Sequence, residues 1–110
     1  MKLIGSRTES IIHDSLIKSE HSILNNNIIN HFLKARFNKI ISAYCLEHTI
    51  GEDYDLYTLL VNREYVVEFE LSRIDNKFKD INIDSLSVYS KRIKDKHSRL
   101  KLLVAINLSK

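Results

Sequence analysis

The sequence predicts an α/β (or α+β) single domain, a single mixed four-stranded sheet with helices packed on it, in the order α-α-β-β-β-α-β. Three observations carry this. Apolar side chains recur at helical spacing over residues 7 to 24; residues 54 to 73 hold two branched and aromatic runs around a polar break; residues 100 to 108 form a short, almost continuous apolar run. With 110 residues, 44% of them hydrophobic and 28% charged, residues 1–110 make one domain large enough to bury a core without disulfide or metal staples.

The first helix opens on Ser6-x-x-Glu9, a capping box in which the serine accepts from the Glu9 amide and the glutamate reaches back. Ile12, Leu16, Ser19 and Ile23 then share a stripe to about residue 24. Asn25-Asn26-Asn27 interrupts it, because short amide side chains compete for the backbone and favour caps, and a second helix begins there with Ile28, Ile29, Phe32 and Leu33 on one side. Phe37, Ile40, Ile41, Tyr44 and Cys45 continue a helical spacing, but residues 39 to 48, with KIISAYCL a short apolar run after the break at Asn38, read in preference as a strand, with Thr49 to Asp53 around Gly51 as its turn.

Residues 54 to 73 read as a β-hairpin. If Asn62-Arg63 is a two-residue turn, Val61 faces Glu64, Leu59 faces Val66, Tyr57 faces Glu68 and Asp55 faces Glu70. Three carboxylates then share one face, and like charges directly opposite in a sheet are unfavourable by roughly 0.2 to 1 kcal/mol. Residues 74 to 83 read as a loop or irregular crossover. A third helix spans 84 to about 96 with Leu86, Tyr89 and Ile93 inward, and residues 100 to 108 read as a strand buried on both faces, parallel to one member of the meander.

The net charge of +3 is unevenly spread. Residues 47 to 70 carry Glu47, Glu52, Asp53, Asp55, Glu64, Glu68 and Glu70 against Arg63 alone; residues 91 to 101 carry Lys91, Arg92, Lys94, Lys96, Arg99 and Lys101 against Asp95 alone. The lone Cys45 lies in an apolar run and reads as an inert thiol in a reducing compartment. No stretch approaches the roughly 18 to 20 apolar residues of a membrane span, and MKLIGSRTES has no signal-peptide core, so a cytoplasmic location is expected. With two glycines and no proline there is no glycine-rich phosphate loop, and no cofactor is expected. The five histidines have no metal-ligand spacing.

The element order, with Asp55 on the second strand and Glu68-Phe-Glu70 on the third, resembles the core of the PD-(D/E)xK nuclease superfamily. That resemblance implies Asp55, Glu68 and Glu70 as ligands of a divalent metal, although Glu70 stands where the family normally has lysine. Separately from that resemblance, the basic residues Lys91, Arg92, Lys94 and Lys96 offer a further reading, a nucleic-acid-binding module that contacts phosphates through this segment. In size, charge layout and the acidic hairpin YDLYTLLV...VVEFEL, the chain also resembles the immunity proteins of bacterial contact-dependent growth inhibition systems. This second resemblance implies a cognate protein toxin with a basic surface, bound through Glu52, Asp53, Asp55, Glu68 and Glu70, with Tyr54 and Tyr57 as aromatic anchors. It is the favoured expectation: a binding protein rather than an enzyme.

Overall fold

A computed structural model describes residues 7–109. Eight elements follow in order: α1 (Arg7–Asn25), α2 (Asn27–Arg36), β1 (Ala43–Ile50), β2 (Tyr54–Val61), β3 (Tyr65–Ser72), β4 (Phe78–Ser85), α3 (Leu86–Arg92) and α4 (Lys96–Leu108). The expected class holds, a four-stranded sheet with helices against it, but the sheet is an antiparallel meander in the order β1-β2-β3-β4.

Two expected elements change identity. Residues 100 to 108 are the body of helix α4, not a central strand. Asp95 caps that helix, its carboxylate accepting from the Ser98 amide at 2.9 Å, and Leu102 and Ala105 are buried one turn apart. A short run apolar on most sides carries no clear period, so the cap decides. The crossover strand therefore does not exist, and its place in the sheet is taken by residues 78 to 85, expected as a loop up to residue 83 and as the start of the third helix from 84. That strand pairs along β3 from Tyr65↔Ser85 to Leu71↔Phe78. It is an edge, and its charged and amide residues are those an edge tolerates.

The helices α1 and α2 form as expected. Ile12, Leu16 and Ile23 are buried along α1, and Asn26 caps α2 by accepting from the amides of Ile28 (3.0 Å) and Ile29 (3.1 Å). The Ser6 half of the capping box lies outside the described residues.

The hairpin forms, with a different register. Its turn takes three residues, Asn62 to Glu64, with Asn62 at φ 54° and Arg63 at φ 59°, and the Glu64 amide donates to the Val61 carbonyl at 3.1 Å. Val61 therefore faces Tyr65, Leu59 faces Val67, Tyr57 faces Phe69 and Asp55 faces Leu71. A slip of one residue moves one strand's whole set of side chains to the other face relative to its partner. Asn62 fixes this register. Its side-chain oxygen accepts from the amides of Ile41 (2.6 Å) and Ser42 (3.3 Å), its side-chain nitrogen donates to the Lys39 carbonyl (2.7 Å), and its own amide donates to the Ser42 carbonyl (2.8 Å).

The sheet thus has two unlike faces. One, the aromatic face, carries Tyr57, Leu59, Val61, Val67, Phe69 and Leu71 and is closed by Ile23 of α1 and Ile29, Phe32 and Leu33 of α2. The other, the acidic face, is closed only towards the Asn62 turn, where Leu60 and Val66 meet Ile12, Leu16, Tyr89, Leu102 and Ala105. Beyond that cluster only the first turns of α4, through His97, Ser98 and Lys101, lie beside Glu47 and Thr49 of β1.

Candidate functional site

The open half of the acidic face is a shallow depression of about 270 Å³ lined by Glu47, Thr49, Leu56, Thr58, Glu68, Glu70 and Asp80, among others. Strand alternation and pairing put these side chains together: Leu56 faces Glu70, Thr58 faces Glu68 and Glu47, and Glu68 faces Asn82. An irregularity between Glu68 and Glu70 leaves Asp80 at φ 51° and delivers its carboxyl to Glu70. Hydrogen bonding to Asp80 raises the Glu70 pKa above the usual carboxylate range, and desolvation and the Asp80 charge add to it. Two carboxyl groups that close hold a proton more tightly than either would alone.

Towards α3 the same face carries a cation. Arg92 donates to Glu68 at 3.0 Å and lies 3.4 Å from Asp84, while the Asn82 side chain bridges to Asp84 at 2.9 Å. The guanidinium raises the charge-assisted pairing without covering the face, since Glu68 remains 32% exposed. Glu47, Glu68, Glu70, Asp80 and Asp84 stand here against Arg92, Lys79, which pairs opposite Glu70, and Lys101, which lines an adjoining depression with Glu47.

The expected site residues are divided by this geometry. Glu68 and Glu70 stay together on the acidic face. Tyr54, paired with Ser72, lies at the far end of the same alternation and is exposed. Asp55 and Tyr57 belong to the aromatic face instead. Asp55 is only 14% exposed and is held by the Arg73 guanidinium, which also reaches the carbonyls of Gly51 and Glu52; His48 lies 3.3 Å away. Glu52 and Asp53 are exposed in the β1–β2 turn, where the Asp53 carbonyl accepts from the Arg73 amide at 2.9 Å. Asp55 is thus a fastening for that turn. The Asp55–Glu70 pairing, and with it the expected metal-ligand trio Asp55, Glu68 and Glu70, is not assembled, and no group of three metal-ligating side chains occurs among the described residues.

Tyr57 sits in a row of rings across the aromatic face: His48 stacks on it at 4.3 Å, and Phe69, Phe78 and Phe32 continue the row at 5.3, 5.2 and 4.1 Å. Burial raises its phenol pKa, with the Asp55 charge adding. Cys45, His48 and Tyr57 also line a second depression of about 270 Å³. There the thiol is no nucleophile: burial pushes it up to about 11, against smaller opposing effects from Lys101 and the Glu47 carbonyl.

The basic segment is split as well. Lys91 and Arg92 end α3, Lys94 lies in the connection and Lys96 begins α4, all exposed. Arg92 is engaged by Glu68 and Asp84, so the four do not form an unpaired cationic strip.

The sequence pattern did not point to Asp80, which falls in the expected loop 74 to 83, or to Asp84, which falls at the expected start of the third helix. The alternation Ile81-Asn82-Ile83-Asp84 was the available signal. No helix among the described residues is long and apolar enough to cross a membrane. Comparison with family models, curated proteins and solved structures gives no match.

Proposed function

We propose that this protein is a non-catalytic inhibitor of the immunity type, which binds and neutralises a protein toxin by presenting the open half of its acidic face to a cationic cleft. One observation carries the reading: the carboxylates Glu68, Glu70 and Asp80 gather in the shallow depression on the sheet, with Glu47 and Asp84 at its margins beside α4 and α3. A cluster that a fold neither pairs fully nor buries is a standing electrostatic cost, repaid when a basic partner arrives. Arg92 illustrates the contact a partner's arginine would make, one guanidinium between two carboxylates. The rigid sheet holds these charges in place before binding, and their summed field speeds encounter.

The side chains that would support chemistry are otherwise committed. Asp55 is tied to Arg73 and the Cys45 thiol is held in its protonated form. The partner is therefore read as a nuclease-type toxin domain in the cytosol, where a site shaped for phosphate would accept carboxylates.

If a reading frame immediately upstream of this gene encodes a toxin domain, stopped-flow association with that domain tests the proposal. Glu70→Lys combined with Asp80→Lys should slow association by about tenfold or more and flatten its dependence on salt. Asp55→Asn, on the other face, should leave the rate unchanged. Wild-type kinetics in the double charge reversal would refute the reading.

A further inference from the structure

We infer that the outer edge of β4 is a docking edge, to which an extended segment of the partner, alternating apolar and basic side chains, adds as a fifth strand. This rests on the acidic-face reading above and specifies how the basic partner is held.

The sheet has two edges: β1 is covered by α1 over its first half and exposed from Glu47 to Ile50, whereas β4 is exposed over most of its length. Along β1, helix α1 packs against the strand and the Ser19 hydroxyl accepts from the Cys45 amide at 3.0 Å. Along β4, residues 79 to 83 are exposed, and among the described residues the strand's ladder partners lie in β3 alone. Natural edges are blunted by kinks and charges. Here the kink falls in the first half, at Asp80; from Asn82 to Ser85 pairing with β3 is regular, and among the described residues no strand pairs with the outward side.

The two sides of this edge are chemically opposite. On the aromatic side Ile81 and Ile83 are 39% and 41% exposed. Beside them runs an apolar groove of about 630 Å³ between α2 and β4, lined by Ile28, His31, Phe32, Ala35, Phe78 and Ile81, with others. On the acidic side stand Asp80, Asn82 and Asp84, with Glu68 and Glu70 behind them; Arg92 already engages Asp84 and Glu68, and Lys79 pairs opposite Glu70, so Asp80 and Glu70 are the carboxylates left for a partner's cations. An added strand points successive side chains to opposite faces. One set therefore enters the groove and the other meets carboxylates, which calls for an apolar residue followed by lysine or arginine, repeated.

Other occupants fit less well. A second copy pairing β4 with β4 would bring the Asp84 carboxylates of two chains to one face, like charges across a strand pair. A helix or a small apolar molecule would fill the groove but leave the edge amides and carbonyls unpaired. Strand addition satisfies both, with main-chain bonds for affinity and alternate pockets for specificity.

A fluorescein-labelled nine-residue peptide alternating leucine and lysine, followed by anisotropy, tests this on the full chain. It should bind about tenfold more tightly than a peptide of the same composition with leucines and lysines in separate blocks. Ile83→Lys and Asn82→Lys, checked for an unchanged melting temperature, should each weaken it by a similar factor, and hydrogen exchange at residues 82 to 85 should slow when it binds. Equal binding of alternating and blocked peptides, both lost in Glu70→Lys, would overturn strand addition while leaving the acidic-face reading standing. Tight binding of the alternating peptide that is lost in Ile83→Lys but indifferent to Glu70→Lys and to salt would keep the edge and remove the acidic face from recognition. No binding up to about 1 mM, or a concentration-dependent dimer abolished by Ile83→Lys, would overturn the inference outright.

Discussion

The two faces of the β2–β3 ribbon are built from alternate residues of the same sixteen-residue stretch of paired strand and could hardly differ more. On the aromatic face, Leu59, Val61 and Val67 are fully buried and a row of rings extends the packing outward to Phe78 and His48. On the acidic face the same degree of burial is reached only at Leu60 and Val66, and the alternation then passes to Thr58, Glu68 and Glu70. The difference teaches a division of labour: the aromatic face and the covered half of the acidic face supply the burial that folds the chain, so the open half can hold charge that a core would reject.

Substitution should separate the two. Phe69→Ala removes a ring that is 2% exposed and touches Phe32, Phe78 and Tyr57, and should cost about 3–5 kcal/mol in urea unfolding, a large part of a small domain's stability. A loss below about 1 kcal/mol would mean the aromatic face is not the closed core described. Asn62→Ala acts where the two faces share one covered end. It abandons three side-chain hydrogen bonds and a left-handed backbone position, for about 1–3 kcal/mol by the same measurement, and Asn62→Gly should recover only the backbone part.

Gly51→Ala should cost less than Asn62→Ala but more than any change on the open face. A Cβ there would come within 2.7 Å of the Tyr54 carbonyl oxygen, which the Gly51 amide itself approaches at 2.8 Å. A melting temperature equal to wild type would show that the β1–β2 turn has slack.

On the acidic face the expected change is the smallest and opposite in sign. Glu70→Gln should raise the urea midpoint slightly, because it removes a charge that Asp80 opposes. The pH dependence follows from the same pair. With its pKa raised, folded Glu70 holds a proton more tightly than the unfolded chain does. Its stabilising share is therefore present below the ordinary carboxylate range and is lost as pH rises through the raised value. Asp75 and Asp95 act in reverse. Bonds from the Lys77 and Ser98 amides lower their pKa values, so their contributions are present at neutral pH and fade as pH falls through those lowered values. Carbon-detected NMR titration in Asp80→Asn should move the Glu70 midpoint down towards the ordinary range, and an unmoved midpoint would break the assignment.

The sequence announced most of this architecture through period and caps. Ile12, Leu16 and Ile23 marked α1, the broken run Asn25 to Asn27 placed the cap of α2, and the pattern of residues 54 to 73 marked the ribbon. What it could not announce was decided at a distance. The register depends on Asn62 bonding to Lys39, Ile41 and Ser42, some twenty residues earlier, and that choice sends Asp55 to one face and Glu70 to the other. The salt bridge that retires Asp55 from any site likewise joins β2 to the residue just past β3. Strand β4 was obscured because an edge carries polar residues. Helix α4 was obscured because an apolar run of nine has no period to read, though Asp95 and Ser98 stood before it as a cap.

The hairpin meander also governs how quickly the chain reaches its native state. Every strand pairs with its neighbour in sequence, so the closures that build the sheet are short and their entropic barriers low. The sequence has no proline and one cysteine, which removes the two commonest sources of minute-long refolding phases. Dilution from urea should therefore give one exponential, independent of how long the chain was left unfolded. A ribbon pinned early at Asn62 would set its rate.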